Sequence, residues 1–271
     1  MAKLRQAVVA GQFYPAQANE LRIQIGSLID SRVDKQNVIA CMLPHAGYAY
    51  SGKVAALTIS AINVKDRIIL LGPNHTGYGA QFSIMTDGTW ETPLGRVEID
   101  SDLAKKLLGN SEYLKEDALA HTHEHSLEVE LPFLQYFKPA IRIVPISFMS
   151  EDIEALKSIG RGIAEVIREN RIQSSTLIVA SSDMTHYESQ LEASNKDAVA
   201  IRSILDLDEQ KLALAVKKLD ITMCGYAPVI TMISAAKALG AKSAKLIKYQ
   251  TSGDVTGDTT SVVGYAGITI Y

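Results

Sequence analysis

TLIVASSDMTH, at residues 176–186, is a short apolar run that ends abruptly in polar residues. Runs of this kind, rich in β-branched residues and bounded by turn residues, are typical of buried strands. Five similar runs recur along the chain: NVIACML (37–43), RIILLG (67–72), IRIVPIS (141–147), AKLIKYQ (244–250) and VVGYAGITI (262–270). Amphipathic stretches with helical periodicity separate them, so the sequence predicts an α/β fold in which helices cover a sheet.

The segment FSIMTDGTWETPLGRVEID, at residues 82–100, alternates apolar and polar side chains around glycine and Pro-Leu-Gly turn residues. This alternation predicts a hairpin that flanks the main sheet. Residues 191–218 predict one or two further helices. Because we find no repeat, low-complexity tract or Pro/Ser/Gly-rich linker, we expect one domain over residues 1–271.

Composition excludes several classes of protein. Hydrophobic residues make up 47% of the 271 residues and charged residues 21%, which excludes disorder as the main state. Lysine and arginine number 27 against 30 acidic residues, for a net charge of -3. With no positive field over the whole domain, nucleic acid is not expected as a principal partner.

Cysteine usage and hydropathy predict a cytoplasmic protein. Cys41 and Cys224 lie far apart and cannot form a disulfide framework, which suits a reducing compartment. The N-terminal segment, residues 1–17, contains only the short apolar stretch AVVAG, too short for the core of a secretory signal. No run approaches the ~18 apolar residues of a membrane-spanning helix, so no membrane association is expected.

Histidines follow two of the predicted strands. His45 lies in LPHAGY (43–48) and His75 in GPNHTG (72–77), while Asp183 and His186 follow the strand TLIVASS. In open α/β sheets ligands bind beyond the carboxyl ends of the strands, so these side chains would share one crevice if their strands are parallel neighbours. The alternative for each histidine is an ordinary loop residue bonded to backbone. No familiar metal spacing such as HExxH or CxxC is present.

The segment HTHEHS, at residues 121–126, holds three imidazoles and Glu124. In an extended chain the three histidines share one face and Glu124 points to the other. Glu124 and His125 are the better placed, since Ser126 could cap a following amphipathic helix and hold their orientation. A solvated histidine-rich loop is the alternative for His121 and His123, whose roles stay open with that of His125.

Cys224 sits where the apolar helical pattern ITMCGYAPVITMISAAKAL begins. A helix N-terminus lowers the pKa of a thiol, so Cys224 could be a soft metal ligand or a nucleophile; the alternative is a small residue packed under a turn. Cys41, inside a strand, should be an inert core thiol. Asp254 and Asp258 lie in a Gly-Thr-Ser loop that predicts either a plain turn or a substrate-binding lid.

Together these segments resemble the Memo family. The motifs that carry the resemblance run in order over nearly the whole chain: HAGYAYSG (45–52), LGPNHTG (71–77), WETPLG (90–95), HEHSLEVELPFLQ (123–135), VPISF (144–148), SSDMTHY (181–187), MCGYAP (223–228) and TSGDVTGDTTSVVGYA (251–266). The resemblance implies a three-layer α/β/α sandwich with a central, mostly parallel or mixed sheet. It further implies a fold similar to class III (LigB-type) extradiol dioxygenases, with a metal-binding cleft at the strand ends.

The same resemblance implies the site residues. His45, His75 and Cys224 would be the metal ligands, and His186, Asp183 and Glu124 would be catalytic residues beside them. The dioxygenases use two imidazoles and a carboxylate, so a thiol in third position puts ring cleavage in doubt. Two imidazoles and a thiolate admit a transition metal ion that is iron or copper, with zinc as a further option.

The leading hypothesis is a metalloprotein with non-haem redox or dioxygenase-like chemistry on a small-molecule substrate. His186 would be the general acid/base and Asp183 would fix its tautomer. One alternative is a zinc hydrolase in which Glu124 or Asp183 is the base. Another is a non-catalytic adaptor that binds a peptide or protein in the same cleft. The resemblance also suggests radical SAM and AMMECR-type proteins as functional partners.

Overall fold

Twelve strands form one mixed sheet in the computed structural model, which describes residues 4–271. The first three residues of the N-terminal segment considered above lie outside the described residues. The strands are β1 (Leu4–Arg5), β2 (Ala40–Leu43), β3 (Arg67–Pro73), β4 (Phe82–Ile84), β5 (Thr89–Thr92), β6 (Gly95–Ile99), β7 (Lys115–Glu116), β8 (Arg142–Phe148), β9 (Thr176–Ser181), β10 (His186–Glu188), β11 (Ala244–Thr251) and β12 (Val262–Ile270).

The helices alternate with the strands along the chain. They are α1 (Ala18–Leu28), α2 (Tyr48–Ser60), α3 (Ser101–Gly109), α4 (Leu119–Thr122), α5 (Leu131–Phe137), α6 (Ile153–Glu169), α7 (Gln190–Leu205), α8 (Glu209–Leu219), α9 (Tyr226–Ala238) and α10 (Gly253–Thr256). The stretch 191–218 thus forms two helices. Within residues 4–271, no helix has both the length and the apolar character that a bilayer crossing requires.

The centre of the sheet is parallel. Strands β6, β8, β3, β9 and β2 lie side by side in that order and run in the same direction, while β12 joins β2 antiparallel and pairs with β10 and β11. All residues of β2 and β9 are buried, as expected for strands covered on both faces. The α/β class and the mixed central sheet are therefore confirmed, as is the β5–β6 hairpin.

Two glycines of β12 show that helices cover both faces of the sheet. A Cβ atom at Gly264 would collide with Asp197 of α7, and one at Gly267 with Thr58 of α2. Residues three apart in a strand point to opposite faces, so α2 and α7 lie on opposite sides. Helices α1 and α5 pack with α2 on one face of the sheet. On the other face α8 packs against both α7 and α9, and α9 covers the parallel strands. The result is the predicted three-layer α/β/α sandwich.

The carboxyl ends of three parallel strands position the site. Strand β2 ends at Leu43, β3 at Pro73 and β9 at Ser181, and β9 lies between the other two. The strands that precede His45 and His75 are therefore parallel but not adjacent. Because parallel strands end at the same edge, the loops after them meet there.

Candidate metal centre

Three imidazoles converge at this edge of the sheet. His45 follows β2, His75 follows β3, and His125 comes from the segment before α5; one potential ligand atom of each lies within 4.8 Å of the others. Burial, and then the nearby His75, His125 and His186, hold the pKa of His45 well below its usual value. Neutral imidazole is the form that binds metals, so the lowered pKa of His45 favours the form of this ring that suits an ion.

Hydrogen bonds at Nδ1 set the direction in which two of the three rings face. His45 Nδ1 lies 2.7 Å from Ser181 Oγ, and His75 Nδ1 lies 2.9 Å from Glu124 Oε1. His125 Nδ1 is 3.4 Å from the same Glu124 oxygen. With Nδ1 hydrogen-bonded in His45 and His75, Nε2 is the atom of these two rings that is left for a metal. Partners of this kind fix tautomer and orientation at known metal sites.

Glu124 is buried at the centre of these contacts. Its Oε1 also accepts from the backbone N–H of Ser126 at 2.8 Å, and its Oε2 accepts from the backbone N–H of His75. Burial acts to raise the pKa of Glu124, but the hydrogen bond and charge of His75 outweigh it and lower the pKa to about 2. Glu124 therefore lies beside the cluster, where its Oε1 accepts from the ring of His75 and lies 3.4 Å from Nδ1 of His125.

Cys224 contacts His45 but is not part of the three-imidazole group. Cys224 lies two residues before the start of α9. Its Sγ is 3.3 Å from His45 Nε2 and 3.3 Å from the backbone nitrogen of Asp183. Burial, followed by the charge of Asp183, raises the pKa of this thiol. The expected lowering by the helix N-terminus is thus wrong for the metal-free protein, because desolvation is the larger effect. Cys41 is a fully buried core thiol, as expected.

Asp183 and His186 lie beside the imidazole cluster. Asp183 Oδ1 accepts from the backbone N–H of His45 at 2.9 Å, and burial raises the pKa of Asp183 to about 6 against the opposing charge of His186. His186 Nδ1 lies 2.8 Å from the carbonyl oxygen of Thr222. A carbonyl can only accept, so Thr222, rather than Asp183 as we expected, fixes the tautomer of His186.

An N-terminal segment, residues 5–14, packs against one side of the site. The sequence analysis does not predict this contact. The Arg5 guanidinium donates to the carbonyls of His121 and Glu124 and pairs with the buried Glu128. Glu128 also accepts from the hydroxyl of Tyr14 and from the backbone N–H groups of residues 8 and 9. The ring of Phe13 then packs edge-on against His125 at 5.0 Å between centroids.

Three other residues of HTHEHS, His121, His123 and Ser126, differ in burial and in their contacts. His121 is fully buried beside Trp90, and neither ring nitrogen has a hydrogen-bond partner, whereas His123 is exposed. The solvated-loop alternative thus fits His123 and is wrong for His121. Ser126 does not cap a helix: its hydroxyl donates to the carbonyl of Pro73 at 2.8 Å, and α5 begins only at Leu131.

The aspartates of the loop between β11 and β12 make local turn contacts. Asp254 Oδ2 accepts from the backbone N–H of Thr251 at 2.7 Å, and Asp258 Oδ1 accepts from that of Thr260 at 2.9 Å. These contacts fit the plain-turn alternative.

Comparison with known proteins decides the family. A family model described as "Memo-like protein" matches residues 5–269, a range that includes the three clustered histidines and Cys224. The chain belongs to the Memo family. A MEMO1 family protein of Methanopyrus kandleri is 41% identical over 97% of this chain and 98% of its own length. A MEMO1 family protein of Nitrosopumilus maritimus is 40% identical over 98% of each chain.

One solved structure supports the same architecture for this Memo chain. The crystal structure of an uncharacterized protein from Escherichia coli K12 superposes with a TM-score of 0.53, covering 87% of this chain and 100% of the other. The two sequences are 15% identical, so the likeness shows the fold alone.

Proposed function

We propose that this Memo-family protein is a metal-dependent enzyme with non-haem redox, dioxygenase-like chemistry on a small organic substrate. The observation that supports it is the convergence of His45, His75 and His125, with Nδ1 of His45 and of His75 hydrogen-bonded elsewhere and the thiol of Cys224 next to His45. Imidazole nitrogens with a soft sulfur are donors that suit iron and copper.

In this proposal His45 and His75 hold the ion, and either Cys224 or His125 completes the set. A bound iron or copper ion would supply open coordination positions and electron transfer. Asp183 would keep the main chain of His45 in place through its bond to that residue's N–H. Glu124 would be a positioning residue, because its oxygens contact ligand histidines and are already occupied.

His186 would move the proton. Its Nδ1–H is donated to the carbonyl of Thr222, which leaves the lone pair on Nε2 free to accept a proton from substrate and return it later. The ring is partly exposed at the edge of the cleft, and the nearby Asp183 carboxylate would stabilise the imidazolium that forms. Both free thiols of the chain suit the cytoplasm, where we place this chemistry.

A zinc hydrolase is the second candidate, favoured by the third imidazole. Three histidines with an open position form a known catalytic zinc set. Since the oxygens of Glu124 are occupied by His75 and Ser126, Asp183 would be the base that takes a proton from water in this alternative.

The test is metal loading of the purified protein under anaerobic conditions with iron(II), copper(I) and zinc(II) in turn, followed by elemental analysis. We expect one ion per chain with iron or copper, and loss of binding in His45→Ala and His75→Ala. Retention by Cys224→Ser with loss in His125→Ala would favour the three-imidazole zinc set. His123→Ala, exposed in the same segment, is the matched control for the histidine variants, and Cys41→Ala, inside β2, is the control for Cys224→Ser.

His186→Ala separates proton transfer from metal binding. We expect this variant to keep the parent's metal content and melting temperature while any turnover falls by ~10²- to 10⁴-fold. Loss of the ion in this variant would make His186 a ligand instead. A parent protein that takes up none of the three metals would refute the proposal and favour the peptide-binding adaptor.

A further inference from the structure

The hydroxyl of Ser181, at the end of β9, has three hydrogen-bond partners. Its Oγ lies 2.7 Å from the carbonyl oxygen of Ser126, 2.7 Å from His45 Nδ1 and 2.9 Å from Glu130 Oε1. All four groups are buried or part of buried hydrogen bonds, and Ser181 itself is completely enclosed. The positions of the hydrogens therefore follow from counting donors.

A hydroxyl has one hydrogen to donate and two lone pairs that accept. The carbonyl of Ser126 can only accept, so it takes the Ser181 hydrogen. His45 must then donate from Nδ1–H, and Glu130 must donate a hydrogen of its own. Any other assignment leaves two acceptor atoms, either two oxygens or the Ser181 oxygen and His45 Nδ1, facing each other at 2.7–2.9 Å without a hydrogen between them.

We infer that Glu130 is held as a neutral carboxylic acid that, through Ser181, fixes His45 in the tautomer whose Nε2 is free to bind a metal. Glu130 is thus a positioning residue for the imidazole. The neighbouring thiol fits the same assignment, since Cys224 Sγ–H can donate to the Nε2 lone pair across 3.3 Å. The inference deepens the proposed function and rests on it for the role of His45 as a ligand.

The surroundings of Glu130 favour the neutral form. The titratable groups that face it are Asp183, Cys41 and Tyr48, and none of them is a cation. Its second oxygen, Oε2, is buried with no hydrogen-bond partner. Burial raises the pKa of Glu130 well above its ordinary value, and the charge of Asp183 raises it further. A buried carboxylate without a positive partner takes up a proton for this reason.

Glu128, two residues earlier, shows the opposite arrangement. It is equally buried, yet it meets the Arg5 guanidinium, the Tyr14 hydroxyl and the two backbone N–H groups of residues 8 and 9. Every one of these partners donates, which is the environment of an ionised carboxylate. Glu128 and Glu130 are therefore a matched pair: same residue type, same segment, same burial, opposite protonation.

Glutamine substitutions distinguish the two states. An amide can donate to Ser181 as a carboxylic acid does, so we expect Glu130→Gln to melt close to the parent. In Glu128→Gln an amide N–H₂ would face donors, and we expect a clearly lower melting temperature. Infrared difference spectra at about pH 8, where ordinary carboxyls and Asp183 are ionised, should show a carboxylic-acid carbonyl band that Glu130→Gln removes and Glu128→Gln retains.

The role in positioning is tested by nitrogen-15 NMR of the metal-free protein and by zinc titration. We expect the parent and Glu130→Gln to carry the His45 proton on Nδ1, and Ser181→Ala to lose this preference. Zinc affinity should stay at the parent's level in Glu130→Gln and fall by ~10- to 100-fold in Ser181→Ala.

The outcomes separate this inference from the proposed function. Spectra in which Glu130→Gln removes no carboxylic-acid band would overturn the inference, as would a His45 tautomer unchanged by Ser181→Ala. If the parent binds no metal, the proposed function fails, whereas the infrared and NMR results on metal-free protein still decide the state of Glu130 and His45.

Discussion

His121 should make folding stability depend on pH below neutrality. Its imidazole is fully buried against Trp90, and neither ring nitrogen has a hydrogen-bond partner. Burial, followed by the nearby charge of Arg5, lowers the pKa of His121 from 6.5 to about 4. Replacing it with phenylalanine, which keeps a flat ring beside Trp90, removes the titrating group.

The linkage between protonation of His121 and folding gives the sign and the size of this pH dependence. Because the folded-state pKa is the lower one, the unfolded chain binds a proton first as pH falls below 6.5, and stability is lost from there down to about 4. The two values imply a loss of about 2 kcal/mol between about pH 8 and about pH 5, and about 3 kcal/mol by about pH 4.

Urea unfolding of metal-free protein at a series of pH values measures this loss. The stability of His121→Phe should fall with pH less steeply than that of the parent, by the amounts above. His123→Gln, exposed two residues away, should follow the parent curve. Parallel curves for the parent and His121→Phe would show that His121 does not change its protonation on unfolding, and the argument from burial would fail.

Three further predictions concern the contacts around the site. Arg5→Met should lower the free energy of unfolding by about 3–5 kcal/mol in urea titrations, because it leaves Glu128 buried without its cation; an unchanged value would refute the buried pair. Glu124→Gln should weaken zinc binding by ~10- to 100-fold in a competition titration, since the amide holds the imidazoles less well; parent-like affinity would contradict its positioning role. Iodoacetamide should label Cys224 faster than Cys41 in metal-free protein, since only Cys224 is partly exposed, and equal labelling by mass spectrometry would count against this placement.

The sheet was predictable because the composition of its strands distinguishes them from the rest of the sequence. Runs such as RIILLG are β-branched, apolar and bounded by turn residues, and parallel strands buried on both faces require that composition. The positions of His45 and His75 followed from the same pattern, since both come directly after such a run. What the pattern could not show was strand order, so β9 between the two was not foreseen.

The conformation of residues 121–130 was harder to predict, because contacts with distant parts of the chain determine it. The sequence LEVELPFLQYF predicts an amphipathic helix that follows Ser126, yet Glu128 and Glu130 are both buried and α5 begins only at Leu131. Arg5 and Ser181 satisfy these acids from distant parts of the chain. A signal existed in the density of acids and histidines within ten residues, but local propensity cannot reveal partners that lie 51 and 123 residues away in the sequence.

The contacts at the imidazole cluster also bear on when the protein acquires its site during synthesis. Arg5 and Glu128 are 123 residues apart, His45 and Asp183 are 138 apart, and His45 and Cys224 are 179 apart. Contacts between such distant segments close late in folding, because loop entropy must be overcome first. Arg5 cannot dock until Glu128, which is synthesised 123 residues later, has emerged from the ribosome. A nascent fragment that ends before Cys224 would therefore lack one of the candidate ligands of the proposed metal site.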